Sequence, residues 1–392
     1  MFDTIVIGKG LIGSAATRYL SQHSPNVAVI GPDEPGDWTT HRGVFASHYD
    51  QGRITRILDE DPVWALLAKR SIEQYHYIEA NSGISFHYPS GGLQAAADAD
   101  YIDRLARVGQ QFAADFQTYR GSAALAAACP QFALPEDAVG VLEGGGAGYI
   151  NPRALAAAQL TIARQQGASI IRETVVSVET HQAGVIITTA EAHTYQAYRV
   201  VIAAGAYSNM LVEPPLALTL KPRTILLAEL PPPAAARLAA MPTLIYDFRD
   251  NSAFDSIYMV PPLEYPDGKT YIKIGGDRLD VPVAHSFDAL RAWFNSGGSR
   301  AEAEALKTVL LDLIPDLGAT AFLHKPCVTT STPHHHPFID TLEDGRLFVA
   351  AGGCGMAAKS SNEIGRLAAV LARHNAWEDE AFAADDFKIR PF

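Results

Sequence analysis

Apolar positions recur along this chain with two different periods, and the changes between them mark out its elements. A short apolar run at 3–7 meets Gly8-Lys-Gly10-Leu-Ile-Gly13, then a small-residue helical stretch, then a second apolar run at 26–30. Helical spacing returns at 62–81 (with Gly83 as breaker), 98–118, 153–166, 300–314 (closed by Pro315) and 360–374. Strand patterns occupy 84–88, 175–179, 185–189, 224–230, 256–260, 270–274 and 347–351, and 199–208 reads as a buried strand running into a small-residue turn. Alanine-rich runs near 95–99, 123–128 and 234–240 read as helices and their connections. The order is a βαβ unit, an insertion, a helix with strands, a block of strand and turn over 221–280, and a return to strand-turn-helix. That order predicts an α/β (α+β) chain in which an antiparallel sheet domain is inserted discontinuously into a Rossmann-like frame.

The glycine spacing gives the opening unit its chemistry. Gly8 allows a tight turn, Gly10 lets the backbone approach a pyrophosphate, and Gly13 lets the helix pack closely on the strand. The helix start then offers N–H groups to the phosphates, so an adenine dinucleotide is expected here, with Leu11 and Ile12 in the turn. The second strand departs from the usual pattern. Where an acidic residue normally meets the ribose, this chain has Gly31-Pro32-Asp33-Glu34, leaving Asp33, Glu34, backbone or water for that contact.

Composition narrows the partners. The 392 residues allow two substantial cores, and 48% are apolar. A net charge of -12 argues against nucleic acid or an anionic membrane surface. No run approaches a membrane span, and the chain enters its first strand without a signal-like segment, so the cytoplasm is the expected address. Cys129, Cys327 and Cys354 are too scattered for a disulfide framework. His334-His-His336 lies between Pro333 and Pro337 and reads as a loop; no metal is expected. No Gly-x-Ser-x-Gly elbow suggests hydrolysis.

Four segments then appear in a fixed order: the GKGLIG turn; His48-Tyr-Asp-Gln-Gly-Arg53-Ile-Thr-Arg56; Tyr271-Ile-Lys273-Ile-Gly-Gly; and Lys325-Pro-Cys327-Val-Thr-Thr with Phe338-Ile-Asp340 and Ala350-Ala-Gly-Gly-Cys-Gly-Met-Ala-Ala-Lys359. Together with 199–208, the set resembles the D-amino-acid-oxidase superfamily of FAD enzymes, in particular its monomeric sarcosine oxidase and N-methyltryptophan oxidase branch. The resemblance implies a glutathione-reductase-like FAD-binding domain from 1–88, 147–220 and 321–392, and a substrate domain from 89–146 and 221–320. It implies FAD contacts at Gly8, Gly10, Leu11, Ile12, Gly13, Asp33, Arg53, Val176, Ala204, Gly205, Gly353, Gly355, Met356 and Lys359, with the flavin held covalently by Cys327. Lys325 is expected to lower that thiol's pKa.

The same resemblance places Lys273 over the reactive edge of the flavin to promote oxygen reduction, and Arg53 against the ring. Arg56 and Lys359 would bind a substrate carboxylate. Arg suits that task by its planar fork, and Lys359 is a cation at a helix start, where an anion is favoured. Tyr258 matches an active-site tyrosine. Asp277 stands where the branch has a histidine, a departure that changes the pocket's charge and would pair with a substrate amine or a second cation. The expected activity is oxidation of a small amino acid or amine bearing a carboxylate: hydride passes to flavin N5, the imine is hydrolysed, and O2 leaves as hydrogen peroxide. The alternatives are a dehydrogenase using a quinone or protein acceptor and a flavin-binding protein without turnover. The expected assembly is a monomer or weak homo-oligomer.

Overall fold

Two eight-stranded sheets and a three-stranded ribbon carry the chain in a computed structural model that describes residues 1–47, 49–280, 283–343 and 345–390. His48, which opens the Arg53 segment, lies outside the described residues, as does the end of the 321–392 segment at 391–392.

The first sheet has a parallel core. Strands Ser169–Ile171, Val27–Ile30, Phe2–Ile7, Thr194–Ile202 and Leu347–Ala351 lie side by side, with the hairpin Val175–His181/Gly184–Thr189 and the antiparallel strand Phe338–Glu343 added. Its strands are apolar on both faces because both are covered. Helices Leu11–Ser21, Pro62–Ser82, Pro152–Gln165 and Ala357–His374 pack beside Val6, Val29 and Val201, while Ile5, Ile30 and Val200 meet the segment around Tyr207–Leu220. Three of these helices meet at buried Arg18, which donates to Gln159 and, at 3.0 Å, to Asn362.

The second sheet runs Ala321–Ser331, Thr219–Glu229, Thr270–Arg278, Phe254–Glu264, Thr243–Asp247, Gly92–Ala96, Val139–Glu143, Phe116–Arg120, with one parallel pair in an otherwise antiparallel array. Helix Arg300–Leu313 covers one face, burying Leu226, Met259, Ile272 and Ile274 against Leu306 and Leu310. Lys273 therefore projects from the opposite face, since neighbours along a strand alternate.

Several expectations need correction. The stretch 98–118 ends its helix at Gln111, and Phe116–Arg120 is already a strand; residues 95–96 are strand too. Strand 84–88 shrinks to His87–Tyr88, and a helix, Phe287–Ser296, lies in a stretch where none is expected above, although Ser286, Leu290, Phe294 and Gly297 mark it. Strand Ala321–Ser331 pairs along its length with Thr219–Glu229, so the chain leaves the second sheet after residue 331 rather than at 320. Among the described residues no helix is long and apolar enough to cross a membrane.

Candidate active site

The first strand and helix meet in a turn with no room for side chains. A Cβ on Gly8 would stand 2.4 Å from the carbonyl oxygen of Ala203, and one on Gly13 1.8 Å from that of Gly8. Beside Gly10, by contrast, nothing lies within 4 Å, and the helix begins there without a side-chain cap or an acidic residue in its first turn. The amides of the first turn are thus left to a ligand or water, the donor set a pyrophosphate needs. Gly31 is explained by the same crowding, because a Cβ there would meet the Lys9 nitrogen at 2.9 Å. Asp33 instead reaches the turn through an ion pair with Lys9 and a second with Arg172 at 3.1 Å, while Glu34 is taken up by Arg153 in a two-pronged bond of 2.9 and 2.7 Å. Ala204 and Gly205 follow the central strand, and Val176 is exposed at a bulge in the hairpin. Helix Ala357–His374, preceded by Gly353, Gly355 and Met356, also starts with neither a side-chain cap nor an acidic first turn. These two bare helix starts fit an FAD.

Arg53 and Arg56 leave opposite ends of the short strand Arg53–Thr55, which pairs with Gly148–Ile150. The chain beyond is clamped by Glu143, whose carboxylate accepts from Ile57 and Leu58 at 2.7 and 2.9 Å. Each arginine shares an aspartate with a distant lysine. Lys273 is fully buried and donates to Asp50 and, at 2.7 Å, to the carbonyl of Gly52; Arg53 Nε stands 3.6 Å from Asp50. Lys359, 1% exposed, donates to Asp59 at 2.7 Å, and Arg56 lies 3.5 Å from the same oxygen. Burial pulls both ammonium groups down to about 8 against the opposing pull of their aspartates; Arg53 and Arg56 add to the fall. Burial also works against the charge of Asp59, but Lys359 and Arg56 outweigh it and hold its carboxyl below the usual range. Around Lys359, two cations therefore share the bonded carboxylate of Asp59, and the buried Glu143 adds negative charge from farther off. Arg56 Nε is buried without a hydrogen-bond partner among the described residues, a donor costly to leave unmet.

The free face of the second sheet completes the surroundings. Directly opposed residues share a face, so Asp247, Ser256 and Asp277 form one row, Tyr258 and Gly275 the next, and Lys273 the third. The Tyr258 ring lies flat over Gly275, where a Cβ would be 2.5 Å from the ring, and Lys273 Nζ is 5.2 Å from the ring centre. Asp277 is 63% exposed and bonded to Arg223 at 2.6 Å. Of its two expected partners, the structure supplies the cation.

Arg223 in turn opposes Cys327 across the strand pair. The Cys327 thiol is buried and pushed up to about 11 by that burial; the cations working against it are Arg53, Lys273 and Arg223. Lys325 does not take that role, and the expectation is corrected: its ammonium lies over the rings of Trp38 and Tyr265 at 5.9 and 5.8 Å. Strand Ala321–Ser331 also touches the turn before helix Ala357–His374, through Cys354 N to the Thr330 carbonyl at 2.7 Å. His334 and His336 turn to separate partners, the Lys388 carbonyl and Asp61.

The family model for FAD dependent oxidoreductases, DAO, matches residues 3–371. The chain belongs to this family. The DAO chain is 25% identical over 390 residues to an N-methyl-L-tryptophan oxidase of Yersinia pestis, covering 95% of each. Its fold is that of a variant of NikD, an unusual amino acid oxidase essential for nikkomycin biosynthesis, at TM-score 0.79 and 20% identity over 99% of this chain and 97% of that one. A glycine oxidase from Geobacillus kaustophilus superposes at TM-score 0.71, again at 20% identity, over 100% and 99%. The chain is an FAD-dependent oxidoreductase.

For a DAO enzyme, the residues that reading the sequence left out are mostly counter-charges: Asp50, Asp59, Arg223, Glu143 and Asp247. Asp50 and Asp59 sit beside quoted arginines, so proximity was the available signal; Arg223 gave none. Asp247 is held at about 6, chiefly by burial, with Tyr101 lowering and Glu60 raising its pKa. A raised carboxyl pKa means the folded chain keeps a proton that the unfolded chain loses, so stability declines as pH climbs from about 4 to 6. Asp247→Asn is expected to match wild type near pH 4 and to be more stable by on the order of 1 kcal/mol at pH 7.5, after discounting for partial exposure. Melting curves at the two pH values check this; equal differences at both refute it.

Proposed function

We propose that this chain oxidises the C–N bond of a small amino acid or secondary amine bearing a carboxylate, with O2 as electron acceptor. The observation that carries the reading is the buried Arg56–Lys359–Asp59 group, in which two cations share one bonded carboxylate and one guanidinium N–H is unmet among the described residues. A reactant carboxylate supplies both the missing charge and the missing acceptor, and a guanidinium fork fixes its direction as well as its position. The relatives' names, an N-methyl-L-tryptophan oxidase and a glycine oxidase, agree with such a reactant.

Bound FAD supplies the electron acceptor for the C–N oxidation and passes the electrons on to oxygen. The bare helix starts at Gly10 and Met356 would hold its negative parts, and Arg53 would lie against it. Tyr258, fixed over Gly275, would wall the reactant's side, with the Arg223–Asp277 pair setting the pocket's rim charge. Lys273 would hold its positive charge where negative charge develops during oxygen reduction. Cys327 would attach the cofactor covalently; its thiol needs the nearby cations to ionise, since burial alone opposes this.

Three outcomes test these assignments. Acid-precipitated wild type should give a yellow pellet and Cys327→Ser a colourless one; a colourless wild-type pellet removes the covalent link. In stopped flow, Lys273→Met should slow reoxidation by O2 by 100-fold or more, the scale of one electrostatic catalytic group, while leaving anaerobic bleaching within a few-fold. Equal effects on both half-reactions would contradict the oxygen role. Because a lysine is charged below its pKa, affinity for a simple carboxylate inhibitor should fall as pH rises through about 8, the value for Lys359. In Lys359→Met that slope should vanish, with affinity at pH 7 weaker by roughly 10- to 100-fold, the worth of a charge-assisted bond. Inhibitor titrations read from the flavin spectrum measure both.

A further inference from the structure

The surroundings of Lys273 go beyond placing a cation in the pocket. An ammonium has three N–H donors. Here Asp50 takes one and the Gly52 carbonyl, at 2.7 Å, takes another, so the third has its direction set by the first two. Asp50 is itself fixed: it is 0% exposed and accepts from the Tyr265 hydroxyl at 2.7 Å and from the Gln51 amide at 2.9 Å, with Arg53 Nε at 3.6 Å. Tyr265 is buried in turn, packed edge-on against Tyr271 with ring centres 5.3 Å apart. Gly52 and Asp50 come from the loop before Arg53 and Tyr265 from the turn after strand Phe254–Glu264, so one loop holds the ammonium and a second segment holds that loop's carboxylate.

We propose that Asp50 is a positioning residue that keeps Lys273 protonated and aims its remaining N–H, making the oxygen reactivity of the enzyme depend on a carboxylate that itself touches neither reactant. The proposal rests on the reading of Lys273 as the oxygen-side cation. Its physical basis is that a buried ammonium without a counter-charge gives up its proton. The groups facing Lys273 are Asp50, Arg53, Cys327 and the ring of Tyr258, with Tyr265 bonded to Asp50 behind them; among them Asp50 is the carboxylate, while Arg53 opposes the charge. Lys325, over the Tyr265 ring, adds a further positive charge to the neighbourhood. Removing the carboxylate leaves the ammonium beside Arg53 and the Tyr258 ring without its negative partner.

The test uses the FAD-loaded, oxidised enzyme with [ε-13C]lysine, in which the Lys273 resonance is identified by its loss in Lys273→Met. Its titration midpoint is compared between wild type, Asp50→Asn and Asp50→Glu. The expected result is a fall of about 1 to 3 pH units in Asp50→Asn, the usual effect of an adjacent counter-charge, and recovery toward wild type in Asp50→Glu. Stopped-flow reoxidation should follow: at pH 8 the rate constant with O2 drops in Asp50→Asn by roughly 5-fold for a midpoint lowered by one unit and roughly 50-fold for two, and recovers on acidification, while anaerobic reduction by substrate is unmoved. If Asp50→Asn does not fold, Tyr265→Phe takes its place. Losing one donor concentrates charge on Asp50, so the Lys273 midpoint should rise, by under one unit. An unshifted midpoint in a folded variant overturns the proposal. A shifted midpoint in Asp50→Asn, with reoxidation unchanged in both Asp50→Asn and Lys273→Met, overturns instead the oxygen role of Lys273.

Discussion

Two buried lysines, each held by one aspartate from the same ten-residue stretch, are the constraint around which this enzyme is arranged. Asp50 and Asp59 bracket Arg53 and Arg56, and their partners, Lys273 and Lys359, come from a strand of the second sheet and from the last helix of the first unit. Charges out of water are tolerated only when paired and hydrogen-bonded. The stretch 50–59 therefore cannot settle anywhere except between the two sheets. Glu143 and Gln94, on neighbouring strands of the second sheet, tie it down by accepting from Ile57 and Leu58 and donating to the Leu58 carbonyl. Burial raises the Glu143 carboxyl, and those two amides counter the rise. What looks like a connecting loop is the bolt between the halves.

The antiparallel register of the second sheet then converts sequence spacing into a surface. Residues two apart on one strand, and opposite on the next, share a face, which puts Lys273, Tyr258, Asp277 and Cys327 on the side away from helix Arg300–Leu313. The apolar partners Ile272 and Ile274 fix which side that is, because exchanging the faces would bury Lys273 against Leu306 and expose the isoleucines. Core packing and the aim of the polar groups are thus one decision. Strand Ala321–Ser331 carries the arrangement across to the first unit, with Thr330 bonded to the turn that launches the last helix.

Much of this was legible in the chain. The glycine turn, the parallel strands at 3–7, 26–30 and 347–351, and the lysine between two isoleucines follow from local spacing, where a handful of neighbours decides the outcome. What escaped depends on distant pairing. The strand 321–331 reads as an approach to the first unit because its continuation returns there, yet its long ladder with Thr219–Glu229 binds it to the second sheet. Helix Phe287–Ser296 was legible in the Ser286 start, the buried Leu290 and Phe294 and the Gly297 stop; what was not is its anchor, Trp293 donating to the Cys327 carbonyl at 2.9 Å. Lys325 stands two residues from Cys327, but two neighbouring rings draw its ammonium away, while Arg223, remote in sequence, faces the cysteine. Asp50 and Asp59 are visible as neighbours of the arginines, whereas the lysine each one holds becomes visible only once the fold brings them together.

The charge balance also explains why the pocket is poised rather than neutral. One aspartate shared with an arginine leaves each cluster attractive to negative charge, and leaves Lys273 and Lys359 near 8 rather than in the usual lysine range. Between that value and the unfolded one, the unfolded chain holds more protons, so each lysine costs stability near neutral pH that is regained as pH rises toward 10.5. Any anion that binds the folded chain offsets that cost by mass action. The folded chain gives up some stability near neutral pH, and negative charge that arrives beside Lys273 or Lys359 offsets that deficit.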